Sequence, residues 1–182
     1  RGQTRPNPMV GAVIAQRGGV ARQHPADYVK GTHLAIKKAL ADARRTVSGF
    51  LPGHVIGIGV DTTGSTPLPV DRLGQPLALS PRFTDNPAAM AWLWKDHTGV
   101  AEAEEITALA KRIRPRYLSK IGGTYSSEWF FSKILHCART SPGVFKAAYS
   151  WVEIADWIPA MLTGTEAPTA LIVGVCAAGH KA

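Results

Sequence analysis

Residues 55–70 read V-I-G-I-G-V-D-T-T-G-S-T-P-L-P-V. Val55, Ile56, Ile58 and Val60, interrupted by Gly57 and Gly59, have the pattern of a buried strand, with glycines where a backbone or a ligand approaches closely. Asp61, Thr62, Thr63, Gly64, Ser65 and Thr66 then form a short polar loop, followed by a second strand over 67–70 and a turn at Asp71, Arg72, Leu73 and Gly74. Open α/β sheets present polar ligands at the carboxyl ends of their strands, and a strand ending in hydroxyls, a carboxylate and a glycine suits that position. The same residues also make ordinary turns, bonding their own backbone and supplying positive φ. Both readings stand on these residues alone. No Gly-Lys-Ser/Thr closes the loop and a strand follows it, so it is not a triphosphate-binding loop; holding hydroxyls is the role that fits.

Upstream, 25–45 has helical periodicity, with Tyr28, Leu34, Ala35, Ile36, Ala39 and Leu40 on one face and Asp27 in the first turn. Pro52 and Gly53 close the connection. A helix followed by a strand is half of a layered α/β unit. Residues 1–23 are rich in Gly, Arg and Pro, with one strand-like run at 9–15, and are read as a divergent or junction segment ahead of a domain over 24–182.

Downstream, 75–79 is expected to return as a strand, making 67–79 a hairpin or meander edge. The run A-W-L-W-K-D-H at 91–97 places Trp92 and Trp94 on alternate positions, hence on one face of a strand. Such a pair packs into a core in most proteins, but an indole at a strand end can also stack on a sugar while polar neighbours bond its hydroxyls. Thr98 is expected to cap a helix over 99–113, whose acidic start and basic end match the helix dipole. After a linker at 115–125 containing Gly122 and Gly123, Ser126 or Ser127 is expected to cap a helix over 128–139. A helix over 150–162 stopped by Gly164 and a strand over 170–175 complete the reading.

Composition bounds the function. The 182 residues are 45% hydrophobic, enough for one core and part of another. No run of about 18 apolar residues occurs and no leader-like segment opens the chain, so a cytoplasmic protein without a membrane partner is expected. Cys137 and Cys176 read as reduced thiols, and Cys176 with His180 offers too few ligands for a closed metal site. The net charge of +8 suits a nucleic-acid binder, yet Lys and Arg are scattered and no aromatic-interleaved motif accompanies them, so no nucleic-acid partner is assigned. The first residue is Arg1, from which a fragment of a longer chain is expected.

Four stretches carry a resemblance: G-I-G-V-D-T-T-G-S-T-P, L-W-K-D-H-T-G-V-A-E-A-E-E-I-T, I-G-G-T-Y-S-S-E-W-F-F-S-K-I-L and C-A-A-G-H-K. In this order and at these separations the sequence resembles the amino-terminal domain of the L-ribulose-phosphorylating members of the FGGY carbohydrate kinases, over about 23–182. The resemblance implies an α/β, ribonuclease-H-like and actin-like ATPase fold, here incomplete and truncated at both ends. It implies ATP- and Mg-dependent phosphorylation of L-ribulose to L-ribulose 5-phosphate, as in arabinose catabolism, by a full-length protein that can be a homo-oligomer. It also implies that Gly64 with its loop, including Ser65, and Trp94, Tyr125 and Lys181 line the sugar pocket, with Glu128 a further candidate that can equally serve a helix cap. The family's phosphate loop and general-base aspartate have no counterpart in these residues. No catalytic residue is therefore assigned, ATP and Mg are expected to bind elsewhere, and the chain alone is expected to be inactive.

Two other readings bear on the function. The opening words T-R-P-N-P-M-V-G-A-V-I resemble those of a riboflavin-pathway deaminase domain, a zinc enzyme, but the His-Ala-Glu and Pro-Cys-x-x-Cys that chemistry needs do not occur downstream. A non-catalytic fragment, a basic binding module, or a kinase for another pentulose such as D-ribulose remains the alternative to an L-ribulose kinase.

Overall fold

The structure, a computed structural model, describes residues 13–15, 18–175 and 181. Most of the deaminase-like opening words, together with Cys176 and His180, lie outside the described residues.

Two small antiparallel sheets and six helices make up the described chain. Strand β1 (Val13–Ala15) pairs with β2 (Ala21–Gln23), which pairs in turn with β4 (Ala91–Trp92). Strand β3 (Pro67–Val70) pairs with β5 (Ser150–Glu153), Leu68 opposite Val152. The prolines of β3 explain its place. Val70 and Thr66 accept from Tyr149 N and Ile154 N at 2.9 and 3.1 Å, so the even-numbered backbone groups face β5. Pro67 and Pro69 face the other edge, where a missing N–H costs no ladder bond.

Helix α1 (Pro25–Thr46) begins with proline in its first turn, His24 accepting from Ala26 N, and Asp27 and Arg44 with Arg45 placed to suit the dipole. Of its expected apolar face, Leu34, Ala35 and Ala39 are exposed, and Tyr28 packs against a core cluster together with the neighbouring Val29. Helices α2 (Val100–Ile113), α3 (Pro115–Lys120), α4 (Phe130–Thr140) and α5 (Pro142–Ala147) follow, and α6 (Ile154–Thr163) ends at Gly164 in the left-handed conformation. Glu102 of α2 meets His136 and Arg139 of α4. Gly99 sits against the carbonyl of Ser132, 2.9 Å from where a Cβ would lie, which brings these two helices close.

One core cluster gathers Phe83, Met90, Trp92, Cys137 and Val144; the other gathers Leu68, Val70, Val152, Ile154, Trp157 and Ile158. Trp92 Nε1 donates to Ala88 O and Trp157 Nε1 to Gly74 O, both at 2.9 Å, so each indole is buried with its polar atom satisfied.

Several expectations are corrected. Residues 55–60 are irregular and exposed, Ile56 fully so. A strand exists by exchanging backbone bonds with a neighbour, and among the described residues none lies beside this run. The same holds for 170–175, where Ile172 and Val175 are exposed. Residues 75–79 make one bridge, Val70 to Pro76, then a 3₁₀ turn at Leu77–Leu79. The expected helix over 150–162 is divided, because its first four residues complete the β3 ladder. The expected linker at 115–125 holds α3, with proline in its first turn. Neither expected serine or threonine caps its helix. Thr98 bonds Asp96 instead, and α4 starts at Phe130 after Trp129.

Candidate functional site

The polar loop 61–66 and the turn after β4 face one another. A cavity of about 540 Å³ is lined by Asp61, Thr62 and Thr63 on one side, Leu93, Trp94 and Lys95 on another, and Tyr28, Gly31 and Thr32 of α1 on a third. Its size is that of a small-molecule site. Thr62 lines this cavity, with its Oγ1 buried and without a hydrogen-bond partner. Thr63 Oγ1 lies 3.1 Å from Thr66 Oγ1, joining the loop to itself.

Trp94 and Trp92 part company because β4 ends at Trp92. Trp92 is buried in the core, whereas Trp94 is 47% exposed at the cavity. The turn that displays it is held by Asp96, a fully buried carboxylate. Asp96 accepts from Ala21 N at 2.6 Å, from Thr98 Oγ1 at 2.6 Å and from Thr98 N at 3.2 Å, and pairs with the buried Arg22. Arg22 also lies 3.3 Å over the Trp92 ring. The Asp of the L-W-K-D-H-T words is thus an anchor, and Arg22 is its partner from a segment read as a junction.

Beside the cavity lies a second polar group. Ser65 is buried with φ 56, the sole described non-glycine residue in the left-handed region. Its Oγ donates to Glu128 O at 2.7 Å. The Glu128 carboxylate lies 3.5 Å from His97 Nε2. Thr66 N donates to the buried Glu153 carboxylate at 2.8 Å, whose other oxygen has no hydrogen-bond partner. Burial raises the Glu153 carboxyl above its usual range, against Thr66 N, Lys181 and Lys133. Lys181 places its ammonium 4.7 Å from the centre of the Phe130 ring.

Of the expected pocket residues, then, Trp94 and the loop leading into Gly64 share the cavity, while Ser65, Glu128 and Lys181 belong to the neighbouring polar group. Tyr125 does not line the cavity. Its hydroxyl accepts from Phe131 N at 3.1 Å, its ring packs edge-on to Trp129, and burial pushes its phenol up to about 12. Lys133 and Glu153 were not singled out from the sequence. Their signal was a charged residue within an apolar stripe, Lys133 between Phe130 and Cys137, Glu153 between Val152 and Ile154. Among the described residues no group of His, Cys, Asp or Glu could hold a metal ion, and no helix is long and apolar enough to cross a membrane.

No family model matches the chain. Over 162 residues it is 51% identical to a ribulokinase from Vibrio parahaemolyticus, a match covering 88% of this chain and 28% of that protein. Ribulokinases from Shouchella clausii and Mycolicibacterium smegmatis are each 38% identical over 162 residues. The chain thus spans a little over a quarter of the length of the curated relatives it matches. In fold it is similar to a xyloylose kinase from Brucella ovis, with a TM-score of 0.61 over 82% of this chain and 27% of that one, at 19% identity. The fold is accordingly that of part of an α/β sugar-kinase domain.

Proposed function

We propose that this chain, ribulokinase-like over nearly nine-tenths of its length, supplies the sugar-facing surface of a cytoplasmic ATP-dependent kinase that converts L-ribulose to L-ribulose 5-phosphate. The observation that carries the reading is the cavity lined by both the polar residues Asp61, Thr62 and Thr63 and the exposed indole of Trp94. A pentulose offers such a cavity hydroxyls to bond and C–H faces to stack on the indole. Gly64 lets the loop backbone come close, and Lys181 brings a donor to the adjoining group.

Nucleotide and Mg²⁺ fit these residues poorly. The 61–66 loop leads into a strand rather than a helix amino terminus, and the amine of Lys133 is engaged by two backbone carbonyls. We assign the phosphate chemistry and the general base to residues other than these, and expect no turnover from this chain by itself.

Calorimetric titration of the purified chain with L-ribulose, D-ribulose and a short DNA duplex tests the reading. Heat with L-ribulose exceeding that with D-ribulose supports it. Salt-sensitive heat with the duplex and none with either sugar would replace it with the basic-module reading.

A further inference from the structure

Lys133 is fully buried on α4, on the stripe that also carries Phe130 and Cys137, a place ordinarily held by an apolar side chain. Its Nζ donates to Ser65 O at 2.6 Å and to Leu93 O at 2.8 Å. Leu93 lines the cavity and precedes Trp94, and Ser65, itself outside the lining, follows the lining residues Asp61, Thr62 and Thr63 in the polar loop. One amine spans both.

The loop at Ser65 needs such support. A serine at φ 56 keeps that conformation only where its surroundings over-determine it. Three contacts do so: the serine hydroxyl on Glu128 O, the serine carbonyl on Lys133, and the next amide on Glu153. Of these, the Lys133 contact alone bonds Leu93 directly; the Glu128 contact reaches the far end of that turn only through the Glu128 carboxylate, 3.5 Å from His97 Nε2. The amine has two N–H donors even when neutral, and both observed bonds need no more than two.

We propose that Lys133 is a positioning residue for sugar binding, setting the separation between the 61–66 loop and the Leu93–Trp94 turn without touching the ligand. Its consequence for the sugar rests on the function proposed above; the clamp itself is a property of this chain.

Hydrogen exchange on the full chain tests it. In Lys133→Met, amides of 62–66 and of 93–97 should exchange together, about tenfold faster or more, as expected for losing bonds from a buried amine. The helices α2 and α6 should not change. Ser65→Ala, which removes only the hydroxyl contact, should quicken 62–66 and leave 93–97 as they were. Faster exchange in one segment only, in the whole molecule equally, or in neither overturns the clamp. If Lys133→Met does not fold, acetylation of the unmodified chain decides: Lys133 should label no faster than the two segments open, and labelling as fast as Lys95 and Lys120 overturns the proposal.

Calorimetry with L-ribulose then reads the consequence. An affinity about tenfold weaker in Lys133→Met, with both segments released, supports the positioning role; unchanged affinity with both segments released overturns it. An unmodified chain that takes up no L-ribulose defeats the sugar-binding reading, and the exchange comparison still judges the clamp.

Discussion

Two buried charges and one exposed indole set the chemistry at the residue scale. Burial lowers the Lys133 amine from 10.5 to about 7, against the pull of Glu153. An unfolded chain holds that proton up to its ordinary value, so between about pH 7 and 10.5 the unfolded state binds more protons and stability rises with pH. The melting temperature of the unmodified chain should climb from pH 7 to about 9 relative to that of Lys133→Met; parallel profiles would contradict the assignment. Glu153 works in the opposite sense. With its carboxyl raised by burial it keeps a proton that the unfolded chain has released, so its contribution falls as pH rises above the usual carboxylate range. Trp94 separates binding from packing. Trp94→Ala should weaken L-ribulose binding about tenfold or more while changing stability by no more than about 0.5 kcal/mol. Trp92→Ala, by contrast, should cost about 3–5 kcal/mol in urea denaturation. Equal losses at the two positions would make Trp94 a structural residue.

Turns and ladders, rather than long regular elements, place these residues. The turn after β3 shows the constraint plainly: Gly74 has φ 81, its carbonyl accepts from Trp157 Nε1, and an added Cβ would lie 1.9 Å from Glu166 O. Gly74→Ala should lower stability by about 1–3 kcal/mol, seen as an earlier urea midpoint. That turn was legible in the sequence, as were β3, α1, the body of α2 and the stop at Gly164. Each is specified by residues near in sequence, by prolines, glycines or helical periodicity. What could not be read depends on partners far along the chain. Residues 150–153 look helical until β3 is known to lie beside them, and 55–60 look like a strand although no neighbour pairs with them. The proposal that Trp94 faces the sugar rests on the quoted words and on its place just beyond a strand end. Lys133 was passed over because its two carbonyl partners sit in loops whose approach no local pattern announces.

At the scale of the whole molecule, a compact folded part carries two exposed apolar runs, 55–60 and 172–175. The basic surface, net +8, keeps copies apart by repulsion, so raising the salt should promote association through those runs, with light scattering as the readout. Residues 51–60 connect α1 to the polar loop with no regular ladder to hold them. The parts on either side are joined independently of this connection, by the pairing of β2 with β4, by Arg22 on Asp96, and by Tyr28 and Val29 against the second core cluster. A protease that cuts within 55–60 should therefore yield two fragments on a denaturing gel that still travel as one species in size-exclusion chromatography. The two pieces, expressed separately, should reassemble when mixed, so that this molecule is covalently one chain but mechanically two interlocking halves.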